Sequence, residues 1–268
     1  MKKFMSIALA GAMALSVAAC SMTVFAEDAA YTLIEDGVLT VGTEIGYPPM
    51  EYFDEDGATP IGFDMELAQA LADEMGLELK LIDTAWDGIF AGVTTDKYDV
   101  ILSSVSWTEG RNEEYLLSKT YVANAPVIVV PNESEIADIM DLAGKSVAVQ
   151  METTADYLVQ KYMTEQGLAT DLRQYEKVIN AFDEIKTGRV DAVCTDSVVA
   201  AFYLGDEASN YKTVWEAEEK EPICMCFKKG NDDLKDAMEA ALDSLKEKGV
   251  LGEIATKYFG SDITADLD

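Results

Sequence analysis

From Val38 onward the chain alternates short apolar runs with amphipathic stretches, and this alternation limits the possible folds more than any other feature. Val38–Gly42 reads as a strand whose run ends at Thr43, Glu44 and Tyr47 in a turn containing glycine and proline. Asp64 is positioned to cap a helix with Leu67, Ala68, Leu71, Ala72 and Met75 on one face and Gly76 at its end. Leu77–Ile82 reads as the next strand, Asp87 as the cap of a short helix carrying Ile89, Phe90 and Val93, and Val100–Ser103 as a third strand. Parallel strands need a crossover between them, usually a helix, so this order predicts an α/β sheet covered by helices. Ligands of such sheets bind beyond the C-terminal strand ends. Tyr47, Trp86 and Ser103–Arg111 all lie at such ends and are expected to converge.

A second alternating set follows Tyr121. Val127–Val130 and Ser146–Gln150 read as strands, and Thr153 or Thr154 caps a helix with Leu158 and Tyr162 on its inner face. Val178, Ala181, Phe182 and Ile185 recur at helical spacing before Gly188. Val190–Cys194 reads as a strand leading to Asp196, Pro222–Lys228 as another, and Leu234–Leu245 as a long amphipathic helix before Gly249. No internal repeat or low-complexity linker separates the two sets, which predicts two α/β units joined by strands.

Composition removes several functions. The chain has no histidine, which excludes Ser-His-Asp and Cys-His nucleophile systems and His-ligated metal sites. With 20 basic against 50 acidic residues and a formal charge of -30, nucleic acid and anionic lipid are poor partners. Lys2 and Lys3 followed by the apolar stretch Phe4–Ala19 read as a secretory signal, too short for a stable span. Val17–Cys20 resembles a lipobox, making Cys20 a lipidation candidate and the favoured reading. Cleavage after Ala26 is the alternative. Cys194, Cys224 and Cys226 sit on apolar strand-like runs and are read as buried free thiols, with a bridge from Cys194 as the alternative.

The segment Asp99–Arg111 carries the clearest chemistry. An apolar strand ends in Ser103, Ser104, Ser106 and Thr108, and an arginine follows. Hydroxyls can hydrogen-bond one carboxylate oxygen while a guanidinium takes both in a planar fork. A Ser/Thr-rich turn with a surface arginine paired to Glu109 or Glu113 is the plainer reading of the same residues.

Val41–Pro49, Gly62–Asp64, Trp86–Asp87, Tyr98–Val100, Ser103–Arg111, Gly188–Ala192 and Lys229–Asn231 together resemble, in order and at the usual spacing, the amino-acid-binding extracytoplasmic receptors of ATP-driven (ABC) importers. The resemblance implies a two-lobed type II periplasmic-binding-protein fold. It divides the chain into a signal and tether (1–30), the first part of lobe 1 (31–123), lobe 2 (124–223) and a return to lobe 1 (224–268), with hinges near Tyr121–Ala125 and Pro222–Cys226. It further implies that Arg111 forks onto a ligand α-carboxylate and that Ser104, Ser106 and sometimes Ser103 add contacts. The N–H groups of Thr154 and Thr153 at a helix start would meet the same carboxylate, and Asp196 would take the α-ammonium. Tyr47 and Trp86 would wall the ligand side chain, and Glu44 would either reach a distal positive group or lie exposed.

One departure stands out: the family usually has a glycine just before the paired hydroxyls, where this chain has Glu152, which either points outward or adds a second acid near the distal end of the pocket. Trp107 replaces a smaller aliphatic residue and could narrow the cleft or pack behind it. The function implied is capture of a free L-amino acid, polar or cationic such as arginine, lysine or histidine with cystine also open, and its delivery to a membrane permease. The receptor would be an extracytoplasmic monomer with no cofactor, no metal and no catalysis, membrane-held only through a lipid anchor. A dehydratase-like enzyme using Glu152 as proton donor, and a soluble ligand sensor, are the alternatives.

Overall fold

The computed structural model describes residues 31–207 and 210–264, so the signal, Cys20 and the alternative cleavage point at Ala26 lie outside the described residues. The first half comprises β1 (Val38–Thr43), a small hairpin of β2 (Tyr52–Phe53) and β3 (Pro60–Ile61), α1 (Phe63–Met75) and β4 (Glu78–Asp83). These are followed by α2 (Trp86–Thr94), β5 (Val100–Ile101), α3 (Glu109–Glu114) and β6 (Leu116–Val122). The second sheet begins with β7 (Pro126–Pro131), then β8 (Ser146–Gln150), α4 (Thr154–Glu165), β9 (Asp171–Tyr175), α5 (Val178–Lys186), β10 (Ala192–Asp196), α6 (Ser197–Glu207) and β11 (Tyr211–Glu216). The chain then returns as β12 (Ile223–Phe227), α7 (Asp232–Glu247) and α8 (Val250–Phe259).

Two five-stranded sheets result, ordered β4-β1-β5-β12-β6 and β11-β7-β10-β8-β9. In the first, β1 pairs in parallel with β4 and β5, and β12 runs antiparallel between β5 and β6. In the second, β8 is parallel to both β9 and β10, whereas β7 is antiparallel to β10 and β11. This is the two-lobed type II architecture. The chain crosses between sheets at 123–125 and again at 217–222. The second crossing meets the expected Pro222–Cys226 at Pro222, and Ile223–Phe227 is a fully buried inner strand of the first sheet. Cys194, Cys224 and Cys226 are buried, unpaired thiols.

Local details differ from expectation where tertiary contacts claim a residue. Asp64 does not cap α1. The residue before the helix is Gly62, at φ 132°, where a Cβ would stand 2.2 Å from the Met50 carbonyl oxygen. Asp64 instead lies in the first turn, fully buried, and accepts hydrogen bonds from Ser104 N–H (2.9 Å) and Tyr121 O–H (2.9 Å). Asp87 likewise lies inside the first turn of α2, with Ala85 before the helix and no side-chain cap. Trp107 is 38% exposed and does not line the inner cavity. Thr153 does cap α4, accepting from Asp156 N–H at 3.3 Å.

Candidate functional site

The cavity between the lobes forms where strands stop. β1 ends beside Glu44 and Tyr47, α2 opens with Trp86, and the chain leaving β5 delivers Ser103, Ser104, Ser106 and Arg111. From the second lobe, β8 and the start of α4 bring Gln150, Thr153 and Thr154, and β10 ends on Asp196. All these side chains, with Glu51, line one small cavity of ≈ 20 Å³, room for little more than a water molecule in this closed arrangement. The structure therefore brings Arg111, Asp196, Ser103, Ser104, Ser106, Thr153, Thr154, Tyr47, Trp86 and Glu44 to a single cavity.

Arg111 is held from behind. Its guanidinium lies over the rings of Trp86 (5.5 Å) and Phe90 (5.2 Å), and Nη1 donates to the Ser106 carbonyl at 2.9 Å. No ion pair engages it among the described residues, so most of its donors remain for a bound anion. Burial pulls its pKa below the ordinary guanidinium range, with Cys224 and Asp196 acting in the opposite sense. Thr154 opens α4, and the N–H groups of a helix's first turn have no acceptor within the helix.

Asp196 forms the opposite pole. It is 5% exposed and accepts from Tyr47 O–H (2.7 Å) across the cleft and from Asn124 Nδ2 (2.7 Å). Burial raises its pKa, and those two hydrogen bonds and Arg111 oppose the rise. A carboxylate has about four acceptor positions, so an ammonium can join these partners.

The far end is acidic. Glu44 is 4% exposed, which excludes the surface alternative, and accepts from Gln150 Nε2 of the second lobe at 2.7 Å. Burial pushes its pKa up to about 7, against the pull of Gln150 and Lys177. Ser103 Oγ donates to Glu51 Oε1 (3.0 Å) and accepts from Glu44 N–H (2.9 Å). Among the described residues, buried oxygens on Ser104 (Oγ), Glu51 (Oε2) and Gln150 (Oε1), three residues of this cavity's lining, have no hydrogen-bond partner. Buried polar atoms without partners are uncommon, and a polar ligand would supply what these lack.

Sequence reading overlooked Glu51, Gln150 and Asn124. Gln150 closes a predicted strand, where ligands of α/β sheets bind. Glu51 is an acid set between Met50 and Tyr52-Phe53, a polar interruption of an apolar run. Asn124, at the crossing, left no comparable signal.

Glu152 takes φ 61°, the left-handed region that favours glycine. Its carbonyl accepts from Trp86 Nε1–H (3.1 Å) and its N–H donates to Asp156 Oδ2 (2.9 Å), so the backbone holds the turn, and the exposed side chain is not part of the inner cavity's lining. It lines a separate outer space of ≈ 500 Å³ that adjoins the inner one at Trp86, Arg111 and Thr154.

Residues 39–261 match the family described as bacterial extracellular solute-binding proteins, family 3. The L-cystine-binding protein TcyJ of Escherichia coli K12 is 30% identical over 261 residues, spanning 96% of each chain. Among solved structures, an ancestral arginine-binding protein bound to arginine is similar at TM-score 0.78 and 34% identity, covering 84% of this chain and 99% of that one. The ancestral amino-acid-binding protein AncCDT-1, a precursor of cyclohexadienyl dehydratase, is similar at TM-score 0.76 and 32% identity, covering 83% and 96%.

Proposed function

This chain belongs to the bacterial extracellular solute-binding proteins of family 3, and on that premise we propose that its cleft receives one free L-amino acid whose far end carries a positively charged nitrogen. The ligand's α-carboxylate meets Arg111, Ser106 and the N–H groups at the start of α4. Its α-ammonium meets Asp196, Tyr47 and Trp86 flank its side chain, and its distal nitrogen faces Glu44. The observation that carries this reading is the buried Glu44 in the same cavity as an arginine that has no ion pair among the described residues. A buried acid of this kind favours a cation as its partner.

Arginine offers its guanidinium to that end, and cystine offers a second α-ammonium. The likeness to an arginine-bound structure supports the first and the likeness to TcyJ supports the second. A thermal-shift screen of the twenty amino acids plus cystine decides, since a ligand that binds only the folded state raises its melting temperature. A response confined to neutral aliphatic amino acids refutes the proposal.

Catalysis has no place in this reading. The proton-donor role considered for Glu152 loses its footing because that side chain is exposed outside the inner cavity. Recovery of the bound amino acid unchanged after prolonged incubation tests the point, as the likeness to AncCDT-1 requires. Ligand contacts divided between the lobes favour the closed form. That form, as a monomer, would be presented to the permease of an ABC importer. Lipidation at Cys20 would keep the receptor at the membrane; a Cys20→Ser protein that stays membrane-bound, or a mature N-terminus at Glu27, refutes the anchor.

A further inference from the structure

Glu51 and Asp64 sit below the far end of the cavity, 1% and 0% exposed, and their carboxyls are within hydrogen-bond reach of each other. Asp64 already receives Ser104 N–H and Tyr121 O–H, whereas Glu51 Oε2 receives no donor. The ionisable groups facing the pair are acids and phenols: Glu44 on the loop after β1, Tyr47 across the turn, and Tyr121 on β6. The nearby cation is Lys177, which acts on Glu44 and donates to the Ile45 carbonyl at 3.3 Å. Asp83 and Asp87 add negative charge around Glu44. Two adjoining carboxyls removed from water, with no cation touching them, do not both ionise. A proton therefore resides on the pair, at the Glu51 oxygen that lacks a donor. Ser103 Oγ ties the Glu51 carboxyl to the Glu44 backbone N–H, and the Glu44 carboxyl acts on Glu51 through space, raising its pKa further.

We propose that Glu44, Glu51 and Asp64 form a proton-holding cluster that adjusts the charge of the cleft to its ligand: a ligand with a positive far end expels a proton on binding, and a neutral ligand does not. This rests on the reading of Glu44 as the partner of a distal cation. An entering guanidinium supplies the positive charge that the buried acids lack, the ionised form becomes the favoured one, and the proton passes to solvent. Burial, which holds Glu51 well above the ordinary carboxylate range and Asp64 at about 6, supports the same picture.

Calorimetric titration near pH 7 in two buffers of different ionisation enthalpy measures the protons released. Arginine should release roughly half to one proton per molecule bound and glutamine none, and Glu51→Gln should reduce the arginine value at least twofold. Zero release with arginine, or release unchanged in Glu51→Gln, overturns the proposal. If neither arginine nor cystine binds, the ligand reading has failed and the ligand-free protein judges the cluster. The Glu51→Gln substitution keeps the shape and fixes the neutral state, so the stability of this variant relative to wild type must rise between about pH 5 and pH 8. A gap that stays constant or shrinks overturns the cluster itself.

Discussion

Replacing Arg111 by alanine separates a binding arginine from a structural one. In the ligand-free protein the guanidinium makes one hydrogen bond, to the Ser106 carbonyl, and lies over Trp86 and Phe90. Losing those ring contacts costs about 0.5–2 kcal/mol. Against this, the variant no longer desolvates a charge that has no ion pair, so the net change in ligand-free stability should stay within about 1–2 kcal/mol. Binding responds differently. Truncating one partner of a buried, hydrogen-bonded charge pair removes about 2–5 kcal/mol. At about 1.4 kcal/mol per factor of ten, affinity should fall from about 30-fold to several thousand-fold. Arg111→Lys should regain only part of this, since an ammonium restores the charge without the planar fork. Calorimetric titration with the strongest ligand from the thermal-shift screen measures the loss, and thermal denaturation of the ligand-free variant measures the structural share. Affinity within about threefold of wild type for Arg111→Ala would refute the placement of the ligand carboxylate.

The remaining expectations concern the far end, the turn at Glu152 and lobe motion. Glu44→Gln should weaken arginine far more than any neutral ligand in parallel titrations, and equal weakening of all ligands argues against a distal cation at Glu44. The raised Glu44 pKa also has a sign in the ligand-free protein: stability present below pH 4.5 is lost as pH rises towards about 7, and Glu44→Gln should flatten that part of the stability-pH curve. At φ 61°, Glu152→Gly should be about 1 kcal/mol more stable than Glu152→Ala in chemical denaturation, and equal values would mean the turn stores no strain. Tyr47→Phe removes the hydrogen bond to Asp196 across the cleft, a net contribution of about 1 kcal/mol to the closed form. Small-angle scattering of the ligand-free variant should then give a larger radius of gyration than wild type, with saturating ligand reducing it; identical profiles would leave the closed form independent of that bond.

Much of the scaffold was legible because burial imposes period. Val38–Thr43 and Ser146–Gln150 are strands that packing wets on neither face, so they read as continuous apolar runs. The stripe of Val178, Ala181, Phe182 and Ile185 is the inner face of α5, fully buried as its spacing requires. The polar run Asp171–Tyr175 gave no such signal. It is an edge strand beside β8, and its backbone pairing does not depend on apolar side chains. The hairpin of β2 and β3 was equally silent, since two residues per strand are too few to show a period.

By itself the sequence determined which side chains stand at strand ends, from Glu44 and Tyr47 through Ser103–Arg111 to Asp196, because alternation fixes where each element stops. It also determined the absence of histidine chemistry and the strongly negative charge. Only the tertiary structure decided the partners those residues meet. Asp64 has the form of a helix cap, yet the β5 exit and β6 offer it Ser104 N–H and Tyr121 O–H, and a buried carboxyl takes the donors that surround it. Glu152, facing the pocket in one linear reading, is exposed and lines the outer space rather than the inner cavity, its backbone held by Trp86 and Asp156. Glu51 joins the cavity through Ser103, 52 positions along the chain. Hydrogen bonding and desolvation act over a few ångströms in space, whereas the periodic signal in a sequence reaches only a few residues along it.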